Sequence, residues 1–153
     1  MKSLVIALVF FAGGFTVGVY SLPLIQQQKL ERPQISGLDM TGSRTGQFSS
    51  ELAGSDWLHW GEGEVLLSDK HISLKQVSLA PGPDYRLYLL SRFAEDEAGF
   101  LAQKGTALEV GMIQHFSGDM QFALPSGTDI DQYQAVLVWC ESFGQFITAA
   151  QLN

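Results

Sequence analysis

The chain predicts an all-β fold: a single antiparallel β-sandwich-like domain preceded by an N-terminal transmembrane helix. Three observations carry this. Segments with period-two alternation recur between Pro, Gly and Asp turns from residue 59 onward, which marks a sandwich or barrel. One long uncharged apolar run occupies residues 4–25. A late run, Ala135-Val136-Leu137-Val138-Trp139-Cys140, is apolar on both of its alternating faces, as a central strand covered from two sides requires.

In chain order, Lys2 precedes the apolar run, and the first strong interruption is Pro23. A bilayer core needs roughly 20 mostly apolar residues, and no polar face breaks this stretch as it would on a core helix. A cleavable signal peptide has a shorter apolar region ending at a small-x-small site; Tyr20-Ser21-Leu22-Pro23 offers none, and no cysteine follows for lipid attachment. Residues 1–25 are therefore expected to be an uncleaved signal anchor. Positive charge flanks both ends, with Lys2 on one side and Lys29 and Arg32 on the other, so the positive-inside count does not set orientation. The usual arrangement of a signal anchor gives the expectation: a single pass through the cell membrane, with the domain on the periplasmic or extracellular side.

Residues 26–43 are rich in Gln, Gly and Ser, contain Pro33 and lack periodicity, which predicts a flexible linker. Residues 44–153 then form one domain, long enough for its own core without metal or disulfide. Strands are expected at 59–67, 71–79 and 85–91, with Ala80-Pro81-Gly82-Pro83-Asp84 as a turn, and weaker ones at 108–113 and 120–124. Gly127 to Tyr133 reads as a capped helical turn, with Thr128 or Asp129 accepting from free amides. In the strand at 135–140, Cys140 shares a face with Val136 and Val138 while Trp139 points the other way. A turn and last strand, including Phe146, Ile147 and Leu152, close the domain.

A formal net charge of −7 excludes nucleic acid as a partner, because phosphates demand a basic surface, and disfavours docking on anionic lipid. Glu95-Asp96-Glu97 is expected to be a solvated loop. Gly-x-Ser-x-Gly, phosphate-loop and His-Glu-x-x-His patterns are absent, which disfavours hydrolase and kinase chemistry.

Cys140 is the single cysteine and hence the candidate redox residue; it has no intrachain disulfide partner. A cysteine at the end of a strand serves as a redox thiol, a thiolate ligand or an inert core group. Reactivity needs a lowered pKa from a cation, a helix N-terminus or a metal, and in space His59, His115 or Arg92 would have to supply it. No His follows Cys140, and Cys-x-x-Cys-His is missing. The chain thus lacks a standard blue-copper, covalent-haem or iron–sulfur motif, and the identity of any cofactor stays open. His59 is a candidate supporting ligand, weighed against a hydrogen-bonded strand histidine beside Trp60; His71 and His115 are expected to be exposed. Asp129, Asp131 and Glu141 would make a calcium set, but closely spaced Asp residues at a helix start are better explained as caps. Trp139 is expected in the core, and Trp57 and Trp60 are either core or a stacking platform for sugar.

The order of these pieces resembles a known family. His59-x-Gly61-x-Gly63, the Pro81-Gly82-Pro83-Asp84 turn followed by Tyr85-x-Leu87-Tyr88-Leu89, and Leu124-Pro125 then Asp129 to Tyr133 come in sequence. Val136-x-Val138-Trp139-Cys140-x-x-Phe143 and an Ala150-Gln151-Leu152 tail complete the set. Together they resemble the DM-thirteen domain over roughly residues 48–152. The resemblance implies an extracytoplasmic all-β module with a redox or electron-transfer role carried by Cys140, with His59 and Trp139 as candidate supporting residues from the sequence. The expectation is an accessory domain rather than a stand-alone enzyme, with the apolar N-terminal run as its membrane anchor and a redox protein as its partner. The alternative is a noncatalytic ligand-binding or adhesion module in which Cys140 is a buried core residue.

Overall fold

The computed structural model describes residues 44–153 and, nearer the N-terminus, Ile6, Phe10, Phe11, Gly13, Gly14, Phe15, Val17 and Gly18. The chain divides into two units, Met1–Arg32 and Pro33–Asn153. In the first, the described residues are helical, and Ile6, Phe10, Phe11, Phe15 and Val17 are exposed. No helix of the described residues is long and apolar enough to cross a membrane; most of the expected anchor and the whole linker at 26–43 lie outside the described residues.

The second unit is mostly β. Its strands are β1 (Arg44–Phe48), β2 (Gly61–Leu67), β3 (His71–Leu79), β4 (Tyr85–Leu90), β5 (Leu108–Met112), β6 (Ser117–Ala123), β7 (Ala135–Cys140) and β8 (Gln145–Gln151). They form two antiparallel four-stranded sheets, ordered β1-β2-β3-β6 and β5-β4-β7-β8. Between them lies the main core, including Val65, Leu67, Ile72 and Leu74 from the first sheet and Leu87, Leu89, Val136, Val138 and Ile147 from the second. Alternation explains the membership: in β4, Leu87 and Leu89 face inward, and Arg86 and Tyr88 outward.

The outer face of the second sheet carries a smaller core. Tyr88, Leu90, Leu137, Trp139, Phe146 and Ala149 pack there with Phe100. Phe100 belongs to α1 (Glu97–Leu101), a short helix whose N-cap, Asp96, accepts from the Gly99 amide at 2.7 Å. This cover is why all six residues of β7 are buried. Glu95 and Asp96 are a solvent-facing bend, as expected of a solvated loop, while Glu97 already opens α1. A five-residue helix is too short to show a 3.6-residue period, and its one anchoring side chain is Phe100.

Three other boundaries differ. β2 starts at Gly61, not at residue 59, because the Asp56 carboxylate accepts from the Leu58 and His59 amides, both at 2.7 Å, and winds residues 56–59 into a turn. β6 starts at Ser117, ahead of the expected 120, because polar Ser117-Gly118-Asp119 pairs with β3 without apolar alternation. β1 is an added strand: Arg-Thr-Gly-Gln-Phe carries no hydrophobic pattern, and it is held by β2 on one side and the chain end on the other. Asn153 donates to the Thr45 carbonyl at 2.9 Å, and the Arg44 guanidinium donates to the carbonyls of Tyr133 and Leu152.

Between β2 and β3 the register shifts at Glu62/Glu64, and between β3 and β6 at Leu74/Val77. Gly63 (φ 133°) and Gln76 (φ 50°) occupy these bulges. The Gln76 amide, turned out of the ladder, donates instead to Asp119 Oδ1 at 2.8 Å.

Candidate functional site

Cys140 ends β7 opposite Tyr85 of β4 and Gln145 of β8. Its side chain falls on the inner face with Val136 and Val138, as alternation requires, and it is 2% exposed. The sulfur nevertheless has a defined polar surround. Sγ donates to the Pro83 carbonyl at 3.0 Å and accepts from the backbone amides of Ser142 and Phe143 in the turn leading to β8. The Pro81-Gly82-Pro83-Asp84 turn therefore lies over the thiol. Asp84 sits at φ 51°, held where the Glu141 amide donates to its carbonyl at 3.1 Å and Arg86 Nε to its carboxylate at 2.8 Å.

Burial pushes the Cys140 thiol above its ordinary range, and the Ser142 and Phe143 amides offset only part of this; Asp84 and Glu141 raise it further. The cations expected to lower it are not among its causes. His59 belongs to the turn before β2, where its Nδ1 lies 3.0 Å from Asp56 Oδ2. A carboxylate can only accept, so Nδ1 carries the proton. That bond, with the Leu58 and His59 amides, holds Asp56 below the usual carboxylate range against a smaller effect of burial. Arg92 is exposed, and its amide bonds Gln103. His115, expected to be exposed, is buried, and His71 is half-buried; a two-sided core reaches loop residues that lie next to apolar ones such as Ile113 and Phe116.

Trp139 is where its face predicts, 1% exposed in the outer core. Its ring lies 4.7 Å from that of Phe100, which in turn lies 5.1 Å from Tyr88. Lys104 Nζ stands 5.4 Å from the Trp139 ring and 5.7 Å from Phe100. Among the described residues, Trp139 Nε1 is the one buried side-chain nitrogen or oxygen with no hydrogen-bond partner. Trp57 is 83% exposed and Trp60 half-buried, so Trp57 is not core. Asp129 caps the 3-10 turn Ile130–Gln132, accepting from the Asp131 amide at 3.2 Å. Glu141 is engaged elsewhere, so the calcium trio is not assembled. No three His, Cys, Asp or Glu side chains among the described residues converge as metal ligands.

Around Trp139 the structure assembles a polar chain that sequence reasoning did not single out. Asp84 bonds Arg86, and Arg86 Nη1 bonds Glu109 at 3.0 Å. Tyr88 Oη faces Glu109 at 3.3 Å and donates to Glu141, whose other oxygen accepts from Lys104 Nζ at 2.7 Å. The signal was available: Arg86 and Tyr88 are two apart in one strand and so share a face, and Glu141, two after Trp139, lies just beyond the end of β7. Burial and the two neighbouring carboxylates push the Tyr88 phenol far above its ordinary range. Burial alone would raise Glu141, but Lys104 and Tyr88 outweigh it and hold the carboxyl below its usual value.

A pH dependence follows. Cys140 and Tyr88 both go from neutral to anionic, and both hold their protons longer folded than unfolded. Their contribution is complete below the ordinary thiol and phenol values of 9.0 and 10.0 and is lost progressively as pH rises from those values toward the raised folded ones. The urea midpoint is therefore expected to fall steadily from about pH 9 upward, and Tyr88→Phe to flatten that fall. A midpoint constant to pH 11 would remove the assignment.

Against known proteins, the family model described as Electron transfer DM13 matches residues 52–152. No curated protein and no solved structure matches the chain.

Proposed function

We propose, because the chain belongs to the Electron transfer DM13 family, that this domain is an extracytoplasmic redox accessory whose reactive group is the sheltered thiol of Cys140. The observation that carries the reading is the sulfur's surround: the amides of Ser142 and Phe143 bond Sγ, and the Pro83 carbonyl accepts a hydrogen bond from the thiol. Burial keeps the thiol protonated while the 81–84 turn covers it, and once that turn moves aside the two amides favour negative charge developing on the sulfur. With a hydroperoxide as oxidant, the thiolate sulfur attacks one peroxide oxygen. An S–O bond forms, the O–O bond breaks, and the released alkoxide or hydroxide takes a proton, leaving sulfenic acid. A protein thiol then condenses with it, releasing water and giving a mixed disulfide. His59 is paired with Asp56, and Trp139 supports the strand from the opposite face.

In this reading residues 1–25 hold the domain to the cell membrane by a single pass, with 26–43 as tether and the partner a redox protein on the periplasmic or extracellular side. The uncharged run supports the anchor, as do its outward-facing described residues, Phe10 and Phe11 among them.

The test treats the full chain with hydrogen peroxide and then with a 1,3-dione that traps sulfenic acid, followed by peptide mass analysis. Trapping at Cys140 under native conditions is expected, with none in Cys140→Ser, which keeps its fold. A thiol that reacts only after unfolding would overturn the proposal. That result would leave a second reading, favoured by the 2% exposure of Cys140: a noncatalytic binding or adhesion module with the cysteine in its core.

A further inference from the structure

The outer face of the second sheet holds groups that the thiol chemistry does not use. Tyr88 Oη carries one proton and faces two carboxylates, Glu141, to which it donates, and Glu109 at 3.3 Å. An ionised carboxylate only accepts, so the phenol is the donor and Glu141 the seat for its proton. Behind Tyr88, Phe100 and then Trp139 follow at ring separations of 5.1 and 4.7 Å. The two oxidisable rings differ in one respect that decides direction. Trp139 has a cation, Lys104, 5.4 Å from its ring and no acceptor for its indole proton. An indole radical cation there is repelled and cannot shed its proton. Tyr88 has an acceptor in place.

We propose that Tyr88 is a proton-coupled one-electron relay, with Glu141 as its proton acceptor. An outer-sphere one-electron oxidant removes an electron from Tyr88. The phenolic O–H bond breaks, and the proton forms a bond to a Glu141 carboxylate oxygen, leaving a neutral tyrosyl radical and a neutral carboxyl beside Lys104. An outer-sphere one-electron reductant then returns an electron and the proton goes back to the phenol oxygen, so the chain itself ends the cycle unchanged. Lys104 acts as a positioning residue: it fixes Glu141 at 2.7 Å and closes the indole to oxidation. The relay lies at the edge of solvent, since the Glu109 and Glu141 side chains are 46% and 28% exposed, where a partner's redox group can approach. It deepens the electron-transfer reading of the family but does not need Cys140, which points into the opposite core.

The full chain in non-ionic detergent, photo-oxidised by flash-quenched tris(bipyridine)ruthenium with a cobalt(III) ammine as terminal acceptor, is read by electron paramagnetic resonance. A tyrosyl radical is expected that is lost in Tyr88→Phe and retained in Cys140→Ser. Glu141→Gln, which still accepts a hydrogen bond but cannot take the proton, is expected to slow radical formation by at least about tenfold and to change its solvent-deuterium dependence. Near-ultraviolet circular dichroism establishes that each variant is folded. A radical unchanged in Tyr88→Phe, only an indole or thiyl signal in the parent chain, or full rates in Glu141→Gln would each overturn the relay. Loss of the signal in Cys140→Ser would overturn it in favour of the thiol. Peroxide trapping of Cys140 in Tyr88→Phe tests the thiol separately, so the two readings fail independently.

Discussion

Replacement of Trp139 by alanine is expected to lower the unfolding free energy by about 3–5 kcal/mol, the range for deleting a fully buried large aromatic. The side chain is 1% exposed and forms the floor on which Phe100 and Phe146 pack. Its loss costs the burial of the indole and leaves a cavity beneath α1. It breaks no hydrogen bond, because Nε1 has no partner. Trp139→Phe, which keeps an aromatic floor, should therefore recover much of the loss, whereas a Trp whose nitrogen was bonded would leave an unmet acceptor behind. Guanidinium denaturation of the two variants checks this. Equal losses in both would mean that the indole nitrogen has a partner after all, and a loss under about 1 kcal/mol in the alanine variant would mean that α1 does not cover this face.

The second large effect is expected at Gly63. At φ 133° an L side chain is strained whatever the space, and a Cβ there would lie 2.7 Å from the Val77 Cα. The obstruction is backbone of the neighbouring strand, so a rotamer change cannot relieve it. Strain at such a φ costs about 1–3 kcal/mol and overpacking a similar amount, so Gly63→Ala should lose about 3 kcal/mol or more. Thermal unfolding measures it. Gly105→Ala is the control, since nothing lies within 4 Å of its added Cβ and its φ is not in the positive region. A Gly63→Ala loss no larger than the control's would show that the bulge accepts a side chain.

The strands that alternation reveals are those with one apolar face or two. β3, β4 and β7 stand at or within a residue of where their patterns place them, and Cys140 and Trp139 fall on the faces that period two assigns. What the pattern could not reveal was set by contacts distant in the chain. β1 has no hydrophobic code of its own; it is a strand because β2 and the chain end supply partners for its amides. α1 is nucleated by one cap and held by one ring, which no window average detects. The site was half legible. The reactive side chain and its strand could be read, but its surround could not: the Ser142 and Phe143 amides and the Pro83 carbonyl are backbone groups. His59 was drawn toward Cys140 by chemistry alone and is held elsewhere by Asp56. Tyr88, Glu141 and Lys104 come from three separate segments, and only the pairing of β4 with β7 and the return of the chain through α1 bring them together.

The stitching of β1 to the tail of β8 has a consequence for biosynthesis. Arg44 bonds the Leu152 carbonyl across 108 positions of sequence, and its other acceptors, at residues 130–134, are also made late. During translation the first strand of the domain therefore stands with one edge open until nearly all of the domain has emerged. Contacts of such long range are slow to form, and an open strand edge invites pairing with another chain. The polar, unpatterned composition of β1, a liability for recognising it, is then protective: a nascent Arg-Thr-Gly-Gln-Phe edge offers little to a neighbouring polypeptide while it waits for its own last strand.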